Sequence, residues 1–318
     1  MPPLVSVICL CYNHERFLVE ALDSVRHQTY ARVEIIVVDD ASTDNSQQLL
    51  RQYAAAHPQI RLILNQENSG NCRAFNQGFA LARGEFIIDF ATDDIMLPAR
   101  VAAQVQAFEN LGPDYGIVFT DAELIDEQSH TLGYFYKRDA AGQPRPAVAV
   151  GDVYADVLER FFISSPTLMI RAEVFRKLGG YDESLAYEDF DLMVRTARDY
   201  KFYFLDQVLT RRRLHPNQLS QRTYKVGDKQ LLSTLRICEK ALVLNKNERE
   251  HQALVRRVKG EIRQAFFTRN HPEAGLFFVL LRQLGPVSGL YSLLEKLNQA
   301  RVNMSFVHRI YSGLAHRR

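Results

Sequence analysis

Short apolar runs alternate with segments of helical periodicity over the first hundred residues of this chain. The runs are rich in β-branched residues and lie at residues 5–10, 34–38, 61–64 and 85–90. Between the first two runs, Leu18, Leu22 and Val25 recur at the spacing of one helix face. Strands that alternate with helices pair in parallel, with helices over both faces of the sheet. The pattern therefore predicts an α/β fold that opens with a βαβαβαβ unit.

The remainder of the chain contains further patterns of both kinds. A helical pattern follows Pro98, with the proline in its first turn, and residues 116–120 predict a fifth strand. Later predicted elements are a strand at 165–170, a helix at 172–178 that stops at Gly179 and Gly180, a helix that opens at Glu188, and a strand at 201–214. From about Thr223 the sequence is helical and highly charged. We therefore predict two domains, residues 1–222 and a helical C-terminal extension at residues 223–318.

Composition places the chain among ordinary folded proteins. Hydrophobic residues make up 47% and charged residues 24% of 318 positions, which excludes a disordered or low-complexity chain. The sequence has 39 Lys and Arg against 37 Asp and Glu, a formal net charge of +2. That balance does not supply the broad positive field that sequence-independent nucleic-acid binding needs. We expect no nucleic-acid partner.

Cysteine usage and apolar segments bear on location. The four cysteines form no CxxC pair, and Cys9 and Cys11 sit in an apolar run that predicts buried thiols in a reducing compartment. The N-terminus lacks the basic start and cleavage site of a signal peptide. Residues 274–294 are apolar but interrupted by Arg282 and Pro286, so they could lie on a membrane without crossing it. We expect a cytoplasmic protein, with peripheral contact to the inner face of the cell membrane left open.

Polar side chains follow each of the first four predicted strands. They are Tyr12, Asn13 and His14, then Asp39 and Asp40, then residues 65–71, then Asp93 and Asp94. Ligands of open α/β sheets bind at the carboxyl ends of the strands, so these residues should converge there. We favour turn and helix-cap roles for Ser42, Thr43, Asp44 and Ser46. Two adjacent carboxylate pairs instead indicate a bound cation or a ligand rich in donors, because like charges repel.

Two large α/β classes are excluded by missing motifs. No GxGxxG follows the first strand, as a dinucleotide-binding dehydrogenase needs, and no GxxxxGK[ST] is present, as a P-loop phosphotransferase needs. In a sheet without such a glycine cradle, a metal ion would neutralise a diphosphate. Asp93 and Asp94 are hard oxygen ligands suited to Mg²⁺ or Mn²⁺.

Several segments in order resemble family 2 glycosyltransferases. They are SVICLCYN at residues 6–13, VVDDASTDNS at 37–46, the N-x-G of residues 68–70, Asn76 with Gly78, and GEFIIDFATDD at 84–94 with Pro98. The later LGGYDESLAYEDFDLMVR at 178–195 is similar to the segment with that family's catalytic acid pair. The resemblance covers about the first 220 residues. It implies a GT-A fold, a sugar-nucleotide donor, a divalent metal and inversion at the anomeric carbon.

The resemblance also implies roles by position. Asp40, with Asp39 beside it, matches the carboxylate that accepts a hydrogen bond from the donor's base. Asp93 matches the last carboxylate of the DxD motif, which holds Mn²⁺ or Mg²⁺ on the diphosphate. Asp189 matches the general base, with Glu188 as its acceptor-side or structural partner. The other predicted donor-binding positions are Tyr12, Asn13, Asn68, Arg73, Asp94, Arg213 and His215.

The sequence departs from the family pattern at two places. Ala91 stands where the first DxD carboxylate belongs, and Asp89, two residues earlier on the same strand face, either substitutes in part or pairs with a basic side chain. We favour the pairing. Phe75 replaces an arginine that usually precedes Asn76, which leaves open whether the nearby Arg73 meets the diphosphate.

The resemblance predicts an inverting transferase. It would move a sugar from a nucleoside diphosphate, by default UDP, to a saccharide or lipid-linked saccharide in cell-surface polysaccharide synthesis. Arg213 and His215 either close on the diphosphate or metal, or form an exposed basic strand end. The alternative function is a non-catalytic nucleotide- or carbohydrate-binding protein on the same fold, which Ala91 alone supports.

The C-terminal extension carries an apolar stripe that no motif explains. Its members are Leu276, Phe277, Phe278, Leu280, Leu281, Leu284, Leu290, Tyr291, Leu293, Leu294 and Leu297. The basic residues that follow the stripe are Lys296, Arg301, Arg309, Arg317 and Arg318. Such a helix could lie in an anionic membrane surface. Packing in the core or in a homodimer is the alternative that we favour.

Overall fold

The computed structural model describes residues 1–215 and 226–304, which form two compact units. Unit 1 contains Met1–Val153, Phe162–Glu183 and residues 191–215. Unit 2 contains Tyr154–Phe161, Ser184–Phe190 and residues 226–304. The predicted domain boundary at residues 222 and 223 lies outside the described residues.

Unit 1 is built on one mixed sheet. Its strands are β1 Val5–Cys11, β2 Val33–Asp39, β3 Arg61–Leu64, β4 Phe86–Ala91, β5 Ile95–Met96, β6 Tyr115–Ile125, β7 Thr131–Tyr134, β8 Met169–Arg171 and β9 Lys201–Arg213. The strand order is β3-β2-β1-β4-β8-β6-β9-β5, and β7 pairs with β6. The first four strands pair in parallel, as predicted. The short strand β8 is antiparallel to both β4 and β6, which makes the sheet mixed.

Eleven helices are found in the described part of the chain. They are α1 Leu18–Arg26, α2 Ser46–Ala56, α3 Asn71–Leu81, α4 Arg100–Glu109, α5 Tyr154–Glu159, α6 Ala172–Leu178, α7 Asp189–Ala197, α8 Lys229–Leu244, α9 Glu248–Phe267, α10 His271–Leu284 and α11 Leu290–Gln299. Helices α5 and α8 to α11 belong to unit 2. Helix α6 ends at Gly179, whose backbone is left-handed (φ 74°), as the predicted stop signal requires.

The core of unit 1 follows from residues that are buried on both faces of the sheet. All seven residues of β1 are buried, and Leu18 and Leu22 of α1 join the core on one face. On the other face α3 lies so close that a Cβ at Gly78 would come within 2.5 Å of Ile8 Cγ2. This close packing fixes the position of α3 on the sheet, and with it the position of the loop that leads into this helix.

The structure differs from the predicted elements beyond β4. A 3-10 turn at Ser165–Thr167 takes half of the predicted strand at 165–170, because Pro166 cannot donate to a ladder. Strand β8 therefore has only three residues. Pro98 precedes α4 by two residues instead of lying in its first turn. Strand β7 and helix α5 were missed, since β7 is largely exposed and α5 has only six residues.

Unit 2 is a helical bundle in which α5, α8 and α10 contact α9, and α11 contacts α10. Helix α9 begins with a reciprocal cap, because Asn247 Oδ1 accepts from the Glu250 backbone N–H at 3.0 Å while Glu250 Oε1 accepts from Asn247 Nδ2 at 2.7 Å.

The buried members of the apolar stripe are Phe277, Phe278, Leu280, Leu281, Leu284 and Leu294. Leu276, Leu290 and Leu293 are exposed. Core packing therefore accounts for about half of the stripe. In residues 1–215 and 226–304, no helix has both the length and the apolar character of a membrane span.

Candidate active site

Strand pairing brings the predicted donor-side residues of unit 1 to one edge of the sheet. Cys11 pairs with Asp39 across β1 and β2, and Leu10 pairs with Ala91 across β1 and β4. The loops that leave these strands therefore start side by side. The carboxylates of Asp39 and Asp93 lie on those loops or at their start.

Asp39 is fully buried and closes the turn that follows β2. Its Oδ1 accepts from the Ser42 backbone N–H at 2.9 Å and from Gln47 Nε2 at 2.9 Å. Its Oδ2 accepts from the Ser42 hydroxyl. Within the turn, Asp44 Oδ1 accepts from the Ser46 backbone N–H at 2.9 Å. These contacts match the turn role expected for the serines and Asp44. The expected cap role is wrong, because the N-cap position of α2 is Asn45 and its side chain makes no capping hydrogen bond.

Asp40 holds the loop that leads into α3. Its Oδ1 accepts from the Ser69 backbone N–H and hydroxyl, both at 2.9 Å, and its Oδ2 accepts from the Gly70 backbone N–H at 2.8 Å. Asn65 Nδ2 also donates to Oδ1, and Asn68 Nδ2 donates to the Asp40 carbonyl, each at 3.1 Å. Gly70 has φ 85°, a conformation that favours glycine. In this structure the carboxylate of Asp40 accepts from these loop donors. Its contact with a nucleotide base stays a prediction.

Tyr12 and Asn13 form the loop after β1. The left-handed backbone of Asn13 (φ 58°) aims its Oδ1 at the Thr43 backbone N–H, 2.7 Å away. This bond ties the first loop to the second. Tyr12 remains 46% exposed, so its ring is available at this edge for stacking against a planar group.

Asp93 and Asp94 follow β4 and differ sharply in environment. Asp94 is buried and accepts from the Arg213 backbone N–H at 2.8 Å. Burial and the neighbouring Asp93 charge raise the pKa of Asp94 to about 8. Asp93 is also desolvated, but the hydrogen bond from His215 and the charges of His14 and His215 outweigh burial and lower its pKa. Asp93 is therefore the ionised member of the pair.

His215 lies directly on Asp93. Its Nε2 donates to Asp93 Oδ2 at 3.0 Å, and its ring centroid lies 5.7 Å from that of Phe17. Only 8% of its surface is exposed. An imidazole nitrogen and a carboxylate oxygen are both usable ligands for a divalent cation.

The expected alternative of an exposed basic strand end is wrong for Arg213, because its side chain is only 1% exposed. Every nitrogen of its guanidinium group donates a hydrogen bond to the protein. Nε donates to the Asp93 carbonyl at 2.9 Å, Nη1 to the Asp126 carbonyl and Ser129 Oγ at 3.0 Å, and Nη2 to Glu20 Oε2 at 2.7 Å. These four partners lie on three separate segments: the loop after β4, the turn between β6 and β7, and helix α1. No sequence pattern marked Glu20, Asp126 or Ser129, because each contacts Arg213 only through the fold.

The α3 side of the site forms a second network. Arg73 Nε donates to Glu183 Oε2 at 3.0 Å, and Asn76 Nδ2 donates to Glu183 Oε1 at 3.0 Å. Together they lower the pKa of Glu183, Asn76 first and then Arg73. Asp89 Oδ2 accepts from the Tyr181 hydroxyl at 2.9 Å. The sequence did not indicate this tyrosine as a partner of Asp89.

Glu188 and Asp189 belong to unit 2; Asp189 is the first residue of α7, and Glu188 directly precedes the helix. Asp189 Oδ1 accepts from the Phe190 backbone N–H at 2.7 Å, a contact that favours the ionised carboxylate. Asp191 belongs to unit 1, is 1% exposed and pairs with Arg195 Nε at 2.6 Å. The three acidic residues of this segment are thus in different settings.

The donor set at Asp93 fits a divalent cation. In the described part of the chain no three His, Cys, Asp or Glu side chains converge as a complete metal site. Mg²⁺ and Mn²⁺ at phosphate sites need only one or two protein ligands, because phosphate oxygens and water complete the shell. Asp93 and His215 would supply those ligands.

Comparison with known sequences decides the family. The sequence model of Glycosyl transferase family 2 matches residues 6–179, more than half of the chain. The protein belongs to this family. An uncharacterized glycosyltransferase of Rickettsia typhi is 35% identical over 217 residues, which is 68% of this chain and 65% of that protein. The chain thus matches slightly less than two thirds of that relative's length.

Solved structures of this kind share the fold. S. aureus TarS 1–349 in complex with UDP-GlcNAc has a TM-score of 0.69 at 18% identity, covering 94% of this chain and 88% of that one. Mannosyltransferase PcManGT from Pyrobaculum calidifontis, in complex with GDP-Man and Mn²⁺, has a TM-score of 0.57 at 18% identity over 95% of this chain and 86% of that one. The expected GT-A fold with a helical C-terminal region is confirmed.

Proposed function

We propose that this family 2 glycosyltransferase moves a sugar from a nucleoside diphosphate, by default UDP, to a hydroxyl of a saccharide or lipid-linked saccharide with inversion. Its role would be in cell-surface polysaccharide synthesis. The observation that carries the proposal is the ionised Asp93, hydrogen-bonded to His215 at the carboxyl end of β4. Structures of the same fold hold UDP-GlcNAc or GDP-Man with Mn²⁺.

The cation site would consist of Asp93, His215 and the donor's diphosphate. A bound divalent cation supplies charge stabilisation for the leaving diphosphate. The protein's part is to orient the ligands: Arg213 holds the Asp93 carbonyl, and its own backbone N–H holds Asp94. Because burial and the Asp93 charge raise the pKa of Asp94, Asp93 is the carboxylate of the pair that we propose as the cation ligand.

Asp189 is the proposed general base. It lies in the first turn of the nine-residue helix α7, where the helix dipole favours an ionised carboxylate. An attacking hydroxyl must lose its proton, and a positioned base is worth about 10²- to 10⁴-fold in rate. We propose Glu188 as its acceptor-side neighbour.

The first experiment screens UDP-, GDP- and TDP-sugars for hydrolysis with Mn²⁺, Mg²⁺ or chelator. We expect one donor class to be hydrolysed only when a divalent cation is present. The alternative function, a non-catalytic binding protein, is favoured by Ala91 in place of the first DxD carboxylate. Tight nucleotide binding without turnover of any donor would establish that alternative.

Asp93→Ala tests the cation site. We expect the variant to fold normally, to lose turnover, and to bind UDP with an affinity that no longer depends on Mn²⁺. Isothermal titration calorimetry with and without Mn²⁺ measures that dependence. An unchanged Mn²⁺ dependence would contradict the assignment of Asp93.

Asp189→Asn tests the base. We expect UDP affinity to persist and turnover of the donor found in the screen to fall at least about 100-fold. Asp191→Asn is the matched control, since Asp191 is already paired with Arg195 and should affect stability instead of chemistry. A fully active Asp189→Asn with a folded but inactive Asp191→Asn would move the base to Asp191.

The acceptor proposal includes contact with an anionic membrane surface. About half of the apolar stripe is buried in the core of unit 2. Leu276, Leu290 and Leu293 are exposed, and the basic Lys296 follows them in the sequence and is also exposed. Liposome flotation with and without anionic lipid tests this contact. Binding that Leu290→Ser with Leu293→Ser abolishes supports it, and a protein that stays with the soluble fraction in both lipids refutes it.

A further inference from the structure

The C-terminal helices of unit 2 contact the segment that contains the proposed base. This segment, Ser184–Phe190, belongs to the same compact unit as α8 and α9. The Ala186 backbone N–H donates to Ser233 Oγ of α8 at 2.8 Å. The Tyr187 hydroxyl lies 2.7 Å from Thr234 Oγ1 of the same helix. Two successive residues of α8 therefore hold two successive residues of the segment.

Arg257 of α9 contacts the last residue of the same segment. Its guanidinium carbon lies 4.6 Å from the ring centroid of Phe190 and 4.6 Å from that of Phe161. The two rings also meet each other edge to face, with centroids 5.5 Å apart. Phe190 is fully buried, whereas Phe161 is 57% exposed. Because a desolvated cation is attracted to an aromatic face more strongly than an exposed one, Arg257 restrains the Phe190 ring.

The guanidinium group of Arg257 is itself fixed. Its Nε donates to the Leu158 carbonyl at 2.8 Å, and its Nη1 donates to Glu261 Oε1 at 3.4 Å. Its Nη2 is buried, and in the described part of the chain this nitrogen has no hydrogen-bond partner. An apolar side chain could fill such a buried position without leaving a nitrogen unpaired. What an apolar side chain would lack is the attraction of a cation to the two rings.

Phe190 connects this cluster to the proposed base. Asp189 directly precedes Phe190 in the first turn of α7, and its Oδ1 accepts from the Phe190 backbone N–H at 2.7 Å. A shift of the Phe190 backbone would therefore move both the attachment point of the Asp189 side chain and a donor to its carboxylate. A general base works only when its oxygen lies within hydrogen-bond reach of the proton that it removes.

We propose that Arg257 is a positioning residue for Asp189, and that it acts through the ring of Phe190. This inference rests on the proposed function, in which Asp189 is the general base. It gives a role in the reaction to the C-terminal helices, to which no sequence motif assigned one.

Arg257→Met in the full chain tests the proposal by the kinetics of donor turnover. Methionine keeps much of the apolar stem but has no charge. We expect turnover of the donor found in the screen to fall about 10- to 100-fold, and UDP affinity in calorimetry to change less than about twofold. Arg257→Lys, which keeps a cation, should recover part of the loss. Phe266→Leu, a change at a fully buried residue later in α9, is the control for lowered stability.

Hydrogen exchange of backbone amides measures the same restraint without any donor. In Arg257→Met the Phe190 amide should exchange at least about tenfold faster, relative to the amides of α10, than in the wild-type protein. Phe266→Leu should not change that ratio. Ser233→Ala is a second variant that removes the acceptor of the Ala186 amide, and it should speed the exchange of that amide in the same way.

The outcomes separate this inference from the proposed function. Normal turnover by Arg257→Met together with an inactive Asp189→Asn would refute the positioning role and leave the proposed function intact. Equal losses of turnover in Arg257→Met and Phe266→Leu would show an effect of stability alone and overturn the inference. Unchanged exchange of the Phe190 amide in Arg257→Met would do the same. If the wild-type protein turns over no donor, the proposed function is wrong, and the role of Arg257 toward a base is wrong with it.

Discussion

Arg213→Met is the substitution that most directly tests how the site is built. Methionine keeps much of the apolar stem and its packing on Phe17, over which the guanidinium lies at 4.5 Å from the ring centroid. It removes the donors to the Asp93 and Asp126 carbonyls, to Ser129 Oγ and to the Glu20 carboxylate. We expect the loss to be one of stability.

The expected loss of stability depends on which hydrogen-bond partners of Arg213 water can reach in the variant. Glu20 is 50% exposed, so its carboxylate is rehydrated and contributes little to the loss. The other three acceptors face a side chain that is 1% exposed and would be left with poor alternatives. Each unmade bond of this kind costs about 1 to 3 kcal/mol. Since such losses are not additive, we expect a total of about 3 to 5 kcal/mol.

Urea unfolding without ligand measures this loss as a shift in midpoint at constant slope. Arg211→Met, two residues earlier on β9, is the matched control. Arg211 donates to Glu123 and to the Ser129 carbonyl and its side chain is 25% exposed, so we expect Arg211→Met to cost about 1 to 2 kcal/mol of stability. If Arg213→Met costs no more than the control while UDP affinity collapses, Arg213 contacts the donor and our structural assignment is wrong.

Three further outcomes are expected. Gly78→Ala should destabilise by about 1 to 3 kcal/mol, because its Cβ would lie 2.5 Å from Ile8 Cγ2. Gly260→Ala in α9, where the nearest atom is 3.9 Å away, should stabilise by about 0.5 to 1 kcal/mol. Thermal or urea unfolding checks both, and equal signs would contradict the packing argument. Burial raises the pKa of Glu261 more than Arg257 lowers it, so the folded chain holds that proton more tightly. The stability of the wild-type protein relative to Glu261→Gln should therefore be greatest below the ordinary pKa of glutamate. It should fall as the pH rises through the raised pKa of Glu261 in the folded protein. A difference in urea midpoint that does not change with pH would refute this expectation.

The sequence alone determined the parallel half of the sheet. Burial of successive residues and helical spacing are local properties, so β1 to β4 and α1 to α3 could be predicted with their order and connections. The Gly179 stop of α6 is local in the same sense, because it needs only a left-handed backbone at one residue. The same local reading placed Asp39, Asp40, Asp93 and Asp94 at strand ends, where they are found.

Only the tertiary structure decided what those polar residues do. Asp40 is held by Ser69 and Gly70, about thirty residues away, and Arg213 is held by Glu20 from the first helix. Asp94 differs from Asp93 because one carboxylate is enclosed and the other meets His215. Burial and hydrogen-bond partners set the charge and availability of each side chain, and both depend on segments that meet only when the chain has folded.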